Sequence, residues 1–225
     1  MRSDANTGGA VLKRGLYAIT DCERLSPAEL LARTVRILKA GIVALQYRNK
    51  VDTYPARREQ AVALQHTARQ FASPFIINDD IDLAKDIDAD GVHLGSDDAS
   101  CAEARARLGA KALIGISCYD SVERAIEARR TGADYVAFGA FFPTTTKKPR
   151  TAASLELLRR ARRVLDIPIV AIGGIRPGNA APLIEAGADV LAAASALYGA
   201  PDPARVVGEF NALFARQPAA LSHAR

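Results

Sequence analysis

The chain has 225 residues, 49% of them hydrophobic and 24% charged, with a formal net charge of +5. This excludes wholesale disorder; no run approaches the roughly 20 apolar residues of a bilayer span, and the polar residues 1–10 lack the apolar stretch of a secretory signal. The three cysteines, Cys22, Cys101 and Cys118, are far apart and lack metal-ligand spacing, which excludes a disulfide scaffold and fits a reducing cytoplasm. Basic residues mix with acids, as in Arg124-Ala125-Ile126-Glu127, and aromatic residues make up 6% without tryptophan. That pattern favours a phosphorylated small molecule over nucleic acid.

In chain order, an apolar run predicts a strand over 16–20. A helix over 27–39 follows, with Ser26 as cap, Pro27 at its first position and Glu29 in its first turn. Further strands are predicted over 42–46, 75–78, 91–94, 112–116, 135–139, 169–172 and 190–193, each a short continuous apolar run of the kind buried on both faces. Helical patterns over 56–71, 80–87, 99–108, 121–130, 155–165, 177–185 and 203–214 separate them or close the chain. Gly41, Gly109, Gly132 and Gly187 stand where left-handed C-terminal caps belong. Thr131-Gly132-Ala133-Asp134 and Glu185-Ala186-Gly187-Ala188-Asp189 nearly repeat, and Ala89-Asp90-Gly91 echoes them. Eight strands alternating with eight helices predict a single-domain α/β fold, a (β/α)8 TIM barrel over 15–215. Residues 1–14 and 216–225 are expected to be flexible ends. An open doubly wound sheet would use fewer strands and a glycine-rich first turn, whereas Asp21-Cys22-Glu23-Arg24 follows the first strand.

In such a barrel the chemistry gathers at the C-terminal strand ends. After strand two, Gln46, Arg48 and Lys50 alternate with Tyr47 and Asn49, so an extended chain puts the first three on one side as an anion cradle. Asp79 and Asp98 follow neighbouring strands and suit Mg²⁺. Asp80 and Asp97 stand beside them, and an Asp also caps helices, so the spacing leaves the division of roles open. Thr144-Thr145-Thr146-Lys147-Lys148 is either a phosphate-holding turn or a solvated loop. Gly173-Gly174 and Ala194-Ser195 fall where these barrels bind phosphate esters. Of three histidines only His93 reaches the rim, and an inward core role serves it equally, which leaves no histidine zinc site.

These pieces resemble the thiamine phosphate synthase family. The resemblance runs through Leu16-Tyr17-Ala18-Ile19-Thr20-Asp21, Gln46-Tyr47-Arg48-Asn49-Lys50, Ile77-Asn78-Asp79-Asp80, Asp90-Gly91-Val92-His93-Leu94-Gly95 with Asp98, Gly115-Ile116-Ser117, Thr144-Thr145-Thr146-Lys147 and Ile172-Gly173-Gly174-Ile175. It spans residues 15 to 214. It implies a cytoplasmic transferase that joins a hydroxymethylpyrimidine diphosphate to a thiazole phosphate, carboxylated or not, and releases diphosphate. It implies one Mg²⁺ ion on Asp79 and Asp98. Gln46, Tyr47, Arg48, Asn49, Lys50, Asn78, Ser117 and Lys147 would surround the pyrimidine diphosphate, with Arg48, Lys50, Ser117 and Lys147 as the catalytic set. Thr144, Thr145, Thr146, Gly174, Ala194 and Ser195 would hold the thiazole phosphate. Ser96 stands where the family usually has Gln, and Ala194 where it often has Val or Ile. No nucleic acid or membrane is expected as a partner, and a homo-oligomer is left open.

The charges suggest a dissociative course. The ion with Arg48, Lys50 and Lys147, less Asp79 and Asp98, balances the roughly three negative charges of a leaving diphosphate. The thiazole nitrogen then attacks from a position fixed by its phosphate, and needs no general base. A related thiazole tautomerase would carry His just after strand five and lack the Thr-x-Thr-Lys turn; here Tyr119 stands in that region and the turn is intact. A non-catalytic precursor-binding barrel is a third reading, opposed by the intact Arg48, Asp79, Asp98 and Lys147 set.

Overall fold

The computed structural model describes residues 12–144 and 152–217. Thr145, Thr146 and Lys147, and most of both expected flexible ends, lie outside the described residues. Eight strands form: β1 (Gly15–Ile19), β2 (Ala44–Tyr47), β3 (Phe75–Asn78), β4 (Gly91–Leu94), β5 (Leu113–Tyr119), β6 (Tyr135–Phe138), β7 (Ile169–Ile172) and β8 (Val190–Ala193). They run parallel in sequence order and close into a barrel, β8 pairing with β1. Around them lie α1 (Pro27–Lys39), α2 (Tyr54–Gln70), α3 (Ile81–Asp86), α4 (Cys101–Leu108), α5 (Val122–Arg130), α6 (Leu155–Val164), α7 (Pro177–Glu185), α8 (Ser195–Tyr198) and α9 (Pro203–Arg216). The fold is the expected (β/α)8 barrel. No helix among the described residues is long and apolar enough to cross a membrane.

Local chemistry sets the element ends. Ser26 and Glu29 form a reciprocal capping box on α1, Ser26 Oγ accepting from Glu29 N and Glu29 Oε2 accepting from Ser26 N at 3.0 Å. Strand β5 runs three residues past its expected end because pairing with β6 continues through a register shift between Ser117 and Tyr119. The one-turn α8 falls outside the predicted helical patterns, since four residues carry no helical periodicity. The chain is also anchored earlier than expected. Leu12 is buried under the barrel, and Arg14 Nη1 donates to Phe214 O at 3.1 Å while its guanidinium lies over the Phe214 ring. The N-terminal segment expected to be flexible over 1–14 is therefore held from Leu12 onward.

The repeated Asp serves one device three times. Asp90, Asp134 and Asp189 each stand at the foot of an even-numbered strand. Each backbone N–H donates to the foot of the preceding strand, to Phe75 O, Ile114 O and Ile169 O. Each carboxylate accepts the N–H of that same residue, at 2.8, 2.7 and 2.8 Å. Arg105 and Arg162 pair with Asp134 and Asp189, both at 2.7 Å. The glycine before two of these acids ends its helix in the left-handed region, at φ 99° for Gly132 and 110° for Gly187.

Side chains alternate across the barrel wall. One set packs under the helices, while Tyr17, Ile19, Ala44, Ile76, Leu113, Tyr135, Ala137, Val170, Val190 and Ala192 form a separate cluster. These share strand parity and fill the barrel interior. Small residues face large ones there. A Cβ on Gly115 would stand 2.0 Å from Cζ of Tyr135, so glycine at that position is what admits the phenol ring.

Replacing Asp134 or Asp189 by Ala leaves a strand-foot amide and an arginine without their partner. Each substitution is expected to lower unfolding free energy by about 1–3 kcal/mol, read from urea transitions with unchanged far-ultraviolet dichroism at zero urea.

Candidate active site

The C-terminal strand ends surround a cavity of about 300 Å³. Gln46, Arg48 and Lys50 line it together, as their spacing predicted, with Asn78 at the end of β3, Asp79 just after it and Ser117 on β5. Thr20 pins the backbone at Arg48: its Oγ1 accepts from Arg48 N at 2.8 Å and donates to Arg48 O at 3.1 Å. The Arg48 guanidinium rests 3.3 Å from Glu23. Tyr47 and Asn49, also expected beside substrate, face the other way and do not line the cavity. Tyr47 donates to Gln60 Oε1 at 2.8 Å and stacks on Phe75. Asn49 donates to Asp52 at 2.7 Å and to Gln60 at 3.1 Å, and its Oδ1 accepts from the Val51 and Asp52 amides. The same period-two alternation that puts Arg48 and Lys50 into the cavity puts these two behind its wall as braces.

The paired acids divide their work. Asp80 is the cap: its Oδ1 accepts from Leu83 N at 2.9 Å, and its Oδ2 lies 3.1 Å from Arg57. Asp79 is turned toward the cavity by a left-handed backbone, φ 65°, and its carboxylate takes the Lys50 ammonium. In the loop after the next strand Ser100 caps α4, which frees both Asp97 and Asp98 from that duty. Asp98 Oδ2 accepts the Gly95 amide at 2.6 Å, and the Asp79 carboxyl is its acidic neighbour. Burial first, then the contact with Asp79, raises the Asp98 carboxyl above the ordinary carboxylate range. Two neighbouring carboxylates repel each other when bare, and a divalent cation between them relieves that repulsion. Among the described residues no cluster of three or more His, Cys, Asp or Glu forms a metal site. The donor set therefore fits a hard cation that completes its shell with water or substrate oxygens, as Mg²⁺ does.

The floor of the cavity is a chain of polar side chains that the sequence only partly indicated. Gln46 Nε2 donates to Tyr17 OH at 2.9 Å; Tyr17 OH and Tyr135 OH are 3.1 Å apart. Tyr135 OH lies 3.2 Å from His93 Nδ1, and His93 Nε2 lies 2.9 Å from Ser117 Oγ. His93 thus occupies both places open to it, inward on β4 and part of the cavity wall. Tyr17 and Tyr135 were missed because a tyrosine within an apolar strand reads as core. Their inward parity on β1 and β6 was the available signal. Tyr119, also unpredicted, lines the wall and accepts from Ser96 N at 3.2 Å.

Gly173, Gly174, Ala194 and Ser195 form the far wall with Thr144. The two glycines serve first to seat the chain's own segment after β6. Phe142 N donates to Gly173 O at 3.1 Å, and a Cβ on Gly174 would stand 2.4 Å from Pro143 O. Gly174 also has φ 64°. Gly174→Ala therefore faces both strain and collision. It is expected to lower catalytic efficiency about tenfold or more while the barrel remains folded, read from steady-state kinetics beside a thermal melt.

A family model for thiamine monophosphate synthase matches residues 16–197. The chain is 50% identical over 203 residues to the thiamine-phosphate synthase of Nitrosospira multiformis, covering 90% of this chain and 86% of that protein. It is 50% identical over 204 residues to the thiamine-phosphate synthase of Thiobacillus denitrificans, covering 91% and 96%. A solved thiamine phosphate pyrophosphorylase from Pyrococcus furiosus superimposes with a TM-score of 0.81 at 34% identity, over 91% of this chain and 97% of that one. With half of the aligned residues shared over about nine tenths of its length, and a barrel mouth carrying Arg48, Lys50 and Asp79, the chain belongs to the thiamine monophosphate synthase family.

Proposed function

We infer that the chain is a thiamine phosphate synthase that transfers a pyrimidinylmethyl group from its diphosphate to the nitrogen of a thiazole phosphate. The observation that carries this reading is the meeting of Arg48, Lys50, Ser117 and Asp79 around one cavity, with Asp98 bonded to the cavity-lining Gly95 and neighbouring Asp79. Gln46 and Asn78 extend the same wall toward the pyrimidine diphosphate, and Lys147 is the further cation expected there. The thiazole phosphate takes the opposite wall, at Gly174, Ala194 and Ser195 with Thr144, Thr145 and Thr146. The first N–H groups of a helix such as α8 have no intrahelical acceptor and suit phosphate oxygens. Three free thiols fit a protein working in a reducing cytoplasm.

Mg²⁺ held by Asp79 and Asp98 would supply positive charge beside the diphosphate oxygens. The protein's own groups do the rest. Arg48 offers a two-point contact and Lys50 a mobile point charge, and Ser117 offers a hydroxyl. All three oppose the negative charge that grows on the leaving oxygen as the methylene C–O bond breaks and its electron pair departs with diphosphate. The aminopyrimidine ring carries the remaining positive charge. The thiazole nitrogen, held by its phosphate anchor, then gives its lone pair to the methylene carbon. No proton leaves that nitrogen, so no general base is required.

Mixing both phosphorylated substrates with and without Mg²⁺ and measuring diphosphate tests the reading. Release only with both substrates and Mg²⁺ is expected; thiazole isomerisation without release would replace it with a tautomerase. Lys147→Ala is expected to lower kcat by about 100-fold or more with an unchanged melting temperature. Asp79→Asn and Asp98→Asn are each expected to raise the Mg²⁺ concentration for half-maximal rate about tenfold or more, read from metal titrations of the initial rate.

A further inference from the structure

Four hydrogen-bond contacts cross the barrel floor from Gln46 on β2 to Ser117 on β5, and the orientation of the Gln46 amide sets one proton order through all four. The amide nitrogen of Gln46 has only hydrogens to offer, so Tyr17 oxygen accepts from it at 2.9 Å. The Tyr17 proton then goes to Tyr135 oxygen at 3.1 Å. The Tyr135 proton goes to His93 Nδ1 at 3.2 Å, which must be bare to accept it. A neutral imidazole bare at Nδ1 carries its proton at Nε2, and that N–H faces Ser117 Oγ at 2.9 Å. Ser117 oxygen is thus an acceptor on the protein side, and its own proton is available to the cavity it lines.

Packing holds the chain in place. Tyr17 and Tyr135 are 1% and 0% exposed, with their rings edge to face. The His93 ring stacks on Tyr135 at 5.6 Å between centroids. Gly115 leaves the space that the Tyr135 ring fills. Burial raises both phenol pKa values far above neutrality, so each hydroxyl keeps its proton at any working pH.

We propose that Tyr17 and Tyr135, acting through His93, are positioning residues that fix the Ser117 hydroxyl as a hydrogen-bond donor into the cavity. The proposal rests on the reading of Ser117 as a contact to the leaving diphosphate. A hydroxyl aimed beforehand at an oxygen that gains charge in the transition state lowers the barrier without reorganisation, whereas a free rotor must first be turned. A reversed Gln46 amide would reverse every proton in the series and turn Ser117 into a donor toward His93. The two polarities are therefore experimentally distinct.

The first test is nitrogen NMR of ¹⁵N-histidine-labelled full-length protein in which His66→Gln and His223→Gln leave His93 as the only signal. A bare Nδ1 with protonated Nε2 is expected; the opposite tautomer or an imidazolium at neutral pH overturns the proposal. The second is a kinetic cycle. Tyr135→Phe and Tyr17→Phe are each expected to lower kcat about tenfold, with KM for the pyrimidine diphosphate nearly unchanged. In a Ser117→Ala background, Tyr135→Phe is expected to change kcat less than about twofold. Additive losses would mean that the phenols act only through packing, and would overturn the proposal. Full kcat in Ser117→Ala alone would instead remove the diphosphate contact assigned to Ser117, while the tautomer measurement would still decide the relay. Should either phenylalanine variant fail to fold, the other variant and the NMR of the unaltered relay decide the question.

Discussion

The Tyr17–Tyr135 hydroxyl contact at the centre of the barrel is the constraint on which the site depends. Eight short strands enclose little room, and two phenol rings use much of it. Their presence forces small residues opposite, Gly115 against Tyr135 most directly. Their hydroxyls in turn must be satisfied, because a buried unpaired hydroxyl is costly. Gln46 and His93 meet that need from one side each. The polar series is thereby forced upward through the interior until it surfaces at Ser117 in the cavity. Packing below and chemistry above are parts of one arrangement.

Above this floor, the mouth is organised by charges that neutralise one another within the protein. Lys50 lies on Asp79, Arg48 on Glu23, and Asp98 is tied to the Gly95 amide. Thr20 fixes the backbone at Arg48, and Tyr47 and Asn49 brace the same turn from behind. The segment after β6 is seated on Gly173 and Gly174, so the two walls of the cavity are held by unrelated means.

Much of this was legible in the sequence because it follows from period and spacing. Strands β3, β4, β7 and β8 and helices α1 and α7 begin and end where apolar runs, caps and glycines placed them. The placing of Gln46, Arg48 and Lys50 on one side was legible for the same reason. Applied one step further, that alternation also removes Tyr47 and Asn49 from the cavity, which the motif taken as a block had included. The division between Asp79 and Asp80 was not legible, since it turns on a left-handed backbone at Asp79 that one-dimensional spacing does not encode. Tyr17 and Tyr135 escaped because their partners, 118 residues apart, become neighbours only when the ring closes. Asp134 and Asp189 were visible as a repeat, but their bonding was not, because the accepted amide belongs to the preceding strand.

Those strand-foot acids have an architectural consequence. They tie β3 to β4, β5 to β6 and β7 to β8, so three quarters of the cylinder consist of riveted two-strand staves. The remaining stave has no such rivet: Val43 N donates to Leu16 O, but valine offers no carboxylate in return. There the residue before β1 is tied to α9 instead, Arg14 to Phe214. A circularly permuted gene would keep every rivet within an unbroken stave if its new termini opened between β4 and β5 or between β6 and β7. Opened inside a stave, it would ask the acid and its amide to find each other from opposite ends of the polypeptide.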